Sequence, residues 1–276
     1  MKPESLRDLL EGCEWIFHAA GYYPPFRERR ERAIERAIDS TRRILGEFRR
    51  APAAKVVFTS SAATIRAVPG GQANEESEEP WPLTEWRPLY SSVKIAMEQE
   101  ALRFCREGDP IVIVNPSICI GEYDARPFSG RVVLAFSKYK VPWTVETSFN
   151  VVYTGDVGVG HLRAAEKGRC GQRYLLAGHN VSLQEFAELV ARLAGVRPPR
   201  WKIPYSAALF GARTMGLYAR FTRTQPLVTI QEVRRVRGGY SLDGSKAIRE
   251  LGCLKTPIEE AVRRALLWFK ENGFLE

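Results

Sequence analysis

Short apolar runs alternate, through the first half of the chain, with longer stretches whose apolar residues recur every three to four positions. The runs at 14–20, 55–59 and 110–115 are too short for helices and rich in Val, Ile and Phe, which predicts buried strands. The longer periodicity predicts helices over 28–49 and 89–106, with a short one over 5–12 closed by Gly12. Strands alternating with helices imply an α/β fold with a parallel, doubly wound sheet. Right-handed crossovers then bring the C-terminal ends of the strands to one edge, where such sheets bind ligands. A loop rich in Pro, Glu and Trp occupies 69–88. After residue 121 the pattern is mixed: an apolar run at 149–153, a helix over 183–194 with Ser182 as its cap, and a helix over 258–272 ended by Gly273. The stretch 201–221 is apolar and aromatic but broken by Arg213. A helix packed on the core is the plainer reading; contact with a lipid surface or an apolar substrate is the other.

Three segments fall at the predicted strand ends: His18-Ala19-Ala20-Gly21, Thr59-Ser60-Ser61 and Pro116-Ser117. Close behind them, Tyr90 and Lys94 lie four residues apart on one predicted helix, so phenol and ammonium share a face. A free phenol titrates near pH ~10, and a neighbouring cation favours the phenolate and lowers that value. Ser61 is placed to hydrogen-bond the oxygen that gains or loses a proton. This constellation suits hydride chemistry at a carbonyl or carbinol. Tyr-x-x-x-Lys alone recurs by chance in many helices; convergence with the strand ends is what makes it informative.

Composition narrows the field. The 276 residues are 45% hydrophobic and 26% charged, ordinary for one large domain or two intimate ones. Five scattered cysteines, without a Cys-x-x-Cys pair, point to reduced thiols in a cytoplasmic setting and give no metal site. No run is long enough for a transmembrane segment, and 1–5 has no secretory character. The net charge of +9 concentrates around 27–50, which is rich in both Arg and Glu. A solvated helix laced with i,i+4 pairs such as Glu28 with Arg32 is preferred to a nucleic-acid site, since no aromatics interleave for base stacking. The stretch Thr154-Gly155-Asp156-Val157-Gly158-Val159-Gly160 imitates a phosphate cradle. Its last spacing is one residue short and Asp156 would oppose a phosphate, so a strand-to-helix connection is expected instead.

The ordered segments 15–21, 56–62, 90–94, 114–121, 150–157 and 174–178 together resemble the extended short-chain dehydrogenase/reductases, the NAD-dependent epimerase/dehydratase group. Within it the chain is most similar to the hopanoid-associated sugar epimerase and dihydroflavonol reductase-like branch. The resemblance implies a Rossmann-like sheet and NAD or NADP as cofactor. It implies Tyr90 as general acid/base, Lys94 on the nicotinamide ribose and Ser61 polarising the substrate oxygen. Ala19, Ala20, Gly21 and Thr59 would border the cofactor, and Pro116 and Ser117 would flank the nicotinamide. Two copies would pair through the helices 28–49 and 89–106. Residues 1–121 would form a dinucleotide-binding part, and 122–276 further sheet elements interleaved with a substrate region. In the family a strand, a glycine-rich turn and two more strands come first; this chain is expected to start after them, lacking roughly 60 residues. Ala37 stands where the family often has a structural asparagine.

The expected function is NAD(P)-dependent oxidation, reduction or epimerisation of a small molecule, a sugar nucleotide or apolar ketone. The alternative is a non-catalytic remnant serving as a binding or regulatory subunit. Trp81, Trp86, Tyr123, Phe128 and Trp143 suggest a bulky or partly apolar ligand, with aromatic packing in the core as an equal alternative.

Overall fold

A computed structural model describes residues 7–25, 28–50, 55–68, 70–77, 88–222, 233 and 239–275. Four strands form the main sheet: β1 (Trp15–His18), β2 (Lys55–Thr59), β3 (Ile111–Pro116) and β7 (Arg173–Leu176). They are all parallel, in the order β1-β2-β3-β7, with His18 opposite Phe58 and Thr59 opposite Val114. α2 (Arg30–Phe48) and α3 (Leu89–Arg106) cover one face. Val56, Phe58, Ile111 and Ile113 point at them, packing on Ala33, Ala37, Leu45, Val93 and Ala101. The intervening Val57, Val112 and Val114 point the other way, onto α5 (Thr154–Lys167) and α8 (Ser245–Leu251). Burial on both faces is why these strands read as unbroken apolar runs. Phe17 of β1 is the exception, 45% exposed.

The chain leaves the main sheet at Ser117. β4 (Ile118–Ile120) pairs in parallel with β6 (Ser148–Tyr153), and β8 (His179–Ser182) adds to β6 antiparallel. α4 (Arg131–Ser137), α6 (Leu183–Leu193) and α9 (Ile258–Glu271) bury Phe136, Phe186 and Phe269 against this second sheet. α6 starts as expected, with Ser182 accepting from Glu185 N while the Glu185 carboxylate accepts from Ser182 N. β5 (Trp143–Val145) and β9 (Trp201–Ile203) form a parallel ribbon, which packs on α7 (Tyr205–Thr222) through Val145 and Ile203. The stretch 201–221 is thus a strand followed by a helix with a buried seam of Ala208 and Ala212. α1 spans Arg7–Leu10.

One expectation needs correction. The Arg/Glu-rich helix begins at Arg30, not 28, so Glu28 lies ahead of it and pairs with Arg36 rather than Arg32. Glu47 pairs locally with Arg50, while Arg42 crosses to Glu100 and Arg49 to Glu107 and Asp109 on the α3 side. The stretch after Tyr153 is the expected strand-to-helix junction: α5 follows β6 directly, and buried Asp156 in its first turn accepts from Thr256 N at 2.7 Å and Thr256 Oγ1 at 2.8 Å. That employment of Asp156 agrees with rejecting a phosphate cradle. Of the loop 69–88, residues 70–77 and 88 are described; Trp81 and Trp86 lie outside the described residues. Among the described residues, no helix is long and apolar enough to cross a membrane, and no cluster of His, Cys, Asp and Glu has the makings of a metal site.

Candidate active site

The parallel registers set the ends of β1, β2 and β3 side by side, and α3 starts beside them. Lys94 lies in the second turn of α3 and is only 3% exposed. Burial pulls its ammonium down to about 8, against an upward pull from Glu98 one turn further on. Among the described residues its Nζ makes no hydrogen bond; its neighbours are the ring of Tyr23, 5.5 Å away, and Gly21. A Cβ built on Gly21 would stand 2.8 Å from that Nζ, so the absence of a side chain there is what lets the ammonium reach the edge of the sheet. His18 is buried behind them, stacked on Phe58 at 5.0 Å, with both ring nitrogens unpartnered among the described residues. Burial, and then the Lys94 charge, lower its pKa to about 4, so it is neutral near pH 7.

Tyr90 is half-buried at the start of α3, its ring stacked against Tyr23 at 5.7 Å. Phe128 closes a third side, 6.1 Å from Tyr90 and 6.2 Å from Tyr23. Tyr23 and Phe128 are 57% and 61% exposed, so the phenol sits among large apolar surfaces open to solvent. Ser61 caps the 3-10 turn Ala62–Thr64: its Oγ accepts from Ala63 N at 3.1 Å and keeps its own proton for another acceptor. At the end of β3, Ser117 Oγ is buried without a partner among the described residues.

Behind this crevice lies a polar knot that sequence reasoning missed. Glu98 is 3% exposed and accepts from Thr64 Oγ1 at 2.9 Å, from Asn115 Nδ2 at 2.6 Å and from Ser60 Oγ. Arg173 Nε of β7 stands 3.1 Å from its other oxygen. Asn115 Nδ2 also contacts Ser61 O at 3.3 Å. Arg173 donates to Glu75 O at 2.8 Å, and the Glu75 carboxylate accepts from Leu175 N at 2.7 Å, its pKa raised by burial. The ends of β2 and β3, the start of β7 and α3 are therefore tied through one carboxylate, and Arg173 carries the tie on to the 70–77 loop. A signal existed: Glu98 follows Lys94 by four residues, on the face shared with Tyr90.

The structure thus gathers Tyr90, Lys94 and Gly21, and joins Ser61 to them through Asn115, Glu98 and α3. Ala19 and Ala20 are exposed at the end of β1. Thr59 differs: its Oγ1 is 2.9 Å from His161 Nε2 on α5, across the sheet, so only its backbone is left to face the crevice. Pro116 pairs with Leu176, and Ser117 N donates to Leu176 O at 3.1 Å. A buried ammonium with unmade hydrogen bonds, a side-chain-free Gly21 beside it and an orphaned Ser117 hydroxyl fit the ribose and nicotinamide end of a dinucleotide.

Residues 1–177 match the NAD dependent epimerase/dehydratase family. A protein of Synechocystis sp. provisionally named dihydroflavonol 4-reductase is 32% identical over 276 residues, covering 98% of this chain and 80% of that one. Sterol demethylase protein B of Methylococcus capsulatus is 30% identical over 276 residues, covering 98% and 83%. A solved nucleoside-diphosphate-sugar epimerase from Pseudomonas aeruginosa superposes with a TM-score of 0.81 at 26% identity, covering 99% of this chain and 82% of its own.

Proposed function

The chain belongs to the NAD dependent epimerase/dehydratase family, and we propose on that premise that it interconverts a ketone and a secondary alcohol on an apolar, ring-bearing substrate. Membership makes it an NAD(P)-dependent enzyme of the extended short-chain dehydrogenase type, with NAD or NADP as cofactor. The observation that carries the reading is the buried Lys94 ammonium, without a hydrogen bond, one helical turn from Tyr90.

When bound, the nicotinamide supplies or takes up the hydride at the substrate carbon. The remaining work falls to this chain. Tyr90 transfers the proton to or from the substrate oxygen. The Lys94 cation favours the phenolate form and holds the ribose hydroxyls. Ser61 donates its free proton to the same substrate oxygen, steadying the charge that builds there. Gly21 and Ser117 border the nicotinamide, with Ala19, Ala20 and Pro116 along the strand ends. Tyr23 and Phe128 offer flat apolar surfaces beside the phenol, which favours a ring-bearing ketone over a polyhydroxylated sugar. The names of two relatives, a dihydroflavonol reductase and a sterol demethylase component, are of the same kind. Residues 1–121 serve the cofactor and 122–276 mainly the substrate. Helices α2 and α3 lie side by side on one face of the sheet and are the surface through which two copies would pair.

The test is titration with NADH and NADPH, followed by turnover on aromatic ketones and nucleotide sugars. Tyr90→Phe should keep dinucleotide binding and lose ~10²–10⁴-fold in turnover. Turnover that survives Tyr90→Phe, or a preference for nucleotide sugars, overturns the respective assignment.

A further inference from the structure

We propose that the face built by the end of α4 and the β5–β9 ribbon docks on an anionic membrane surface. Trp143 and Trp201 are Cα partners across the ribbon, so their indoles rise side by side on the same face. They are 37% and 63% exposed, and Tyr139, just before the ribbon, is 60% exposed. Arg200 N and Trp201 N both donate to Pro142 O, at 2.9 and 3.2 Å, which holds the Arg200–Trp201 corner against Pro142–Trp143. Lys138, Lys140 and Arg200 are exposed around these rings, and among the described residues none has a side-chain ion pair or hydrogen bond.

The charge of this face is one-sided for a reason visible in the chain. No acid occurs between Asp124 and Glu146, nor between Glu188 and Glu232, while the two stretches hold eleven Lys and Arg. They are distant in sequence, and the ribbon joins them. Of the cations in these stretches Arg192 is matched, by Glu259; Lys138, Lys140 and Arg200, the ones next to the rings in sequence, have no carboxylate partner among the described residues. The flanking acids are Glu146, just after β5, and Glu188 on α6.

Indole and phenol rings settle where apolar chain meets polar headgroup, and Lys and Arg are drawn to the negative potential of anionic lipid. Adjacent exposed indoles ringed by unpaired cations meet both demands at once. A nucleic-acid site would instead space its rings along a groove to take successive bases. Two indoles on partner residues form one continuous apolar spot. The inference stands apart from the chemistry at Tyr90 and is tested without turnover.

The full chain is sedimented at physiological ionic strength with vesicles of phosphatidylcholine alone, with phosphatidylcholine–phosphatidylglycerol vesicles, and mixed with a single-stranded oligonucleotide. Retention on the anionic vesicles only, with indole emission shifted to the blue, is expected. Each cation near such a surface contributes about fivefold, so the triple variant Lys138→Glu, Lys140→Glu, Arg200→Glu should weaken retention by at least about a hundredfold. Trp201→Ser should weaken it at unchanged charge. No retention on anionic vesicles, retention that survives the triple variant, or preference for the oligonucleotide overturns the proposal.

Discussion

Replacing Lys94 by Met should make the free protein more stable near neutral pH while removing its chemistry. Lys94 is 3% exposed, and burial holds its pKa at about 8 instead of the ordinary 10.5. Near pH ~7 the amine is protonated in the folded and unfolded chain alike, so the folded state bears the full cost of burying the charge. The gap between 10.5 and about 8, at about 1.4 kcal/mol per pH unit, corresponds to roughly 3 kcal/mol. Between those two values the unfolded chain still holds the proton that the folded chain has released. The contribution of Lys94 to stability therefore rises with pH through that window and is flat below it. Met keeps an unbranched apolar stem beside Gly21 and Tyr23 and carries no charge. Three thiols oppose the trend: burial raises Cys105 and Cys253 to about 11 and Cys119 to about 12, so each ionises first in the unfolded chain and lowers stability above its ordinary range near 9. They are the same in parent and variant, so the difference between the two isolates Lys94. Urea unfolding of both proteins is the assay. The variant should lead by roughly 3 kcal/mol near pH ~7, and the lead should shrink towards zero by about pH 10.5. A variant no more stable than the parent near neutrality, or a lead that does not change with pH, would refute the argument that burial of the ammonium strains this site.

Glu98→Ala leaves the Arg173 guanidinium buried without its carboxylate and strips the acceptor from Ser60, Thr64 and Asn115. Urea unfolding should show a loss of ~3–5 kcal/mol, and a loss below ~1 kcal/mol would mean that the knot is not a structural tie. Two glycines should respond in opposite senses. A Cβ on Gly178 would meet Val151 O at 2.2 Å and Val152 Cα at 2.9 Å, both backbone, so Gly178→Ala should lower stability by ~2–3 kcal/mol or more. Gly158 lies within α5 with nothing within 4 Å of its built Cβ, so Gly158→Ala should raise stability by up to ~1 kcal/mol, read as a higher melting temperature.

Much of the local structure was legible in the chain. The helix at 89–106 was read to the residue, because its apolar spacing runs unbroken from Leu89 to Phe104 and Gly108 lies just beyond it. The capping box at Ser182 and Glu185 and the αL stop at Gly273, φ +75, follow from residue type within one turn. The Tyr90–Lys94 spacing belongs to the same class, since a helix of known pitch fixes which neighbours share a face. What the chain left open was set by partners far away in sequence. Arg42 finds Glu100, not a residue on its own helix. Thr59 turns to His161 because strand alternation points it at α5.

The sequence by itself determined the α/β class, the strand ends that meet at one edge, and the sharing of one helix face by Tyr90 and Lys94. These depend on periodicity and on residue preferences over a few positions. Only the tertiary structure decided that Lys94 is buried, that Glu98 ties three strands to α3, and that Trp143 stands beside Trp201. Burial and pairing come from how the elements stack as a whole: the dielectric around an ammonium, or the neighbour of an indole, is set by segments tens of residues away.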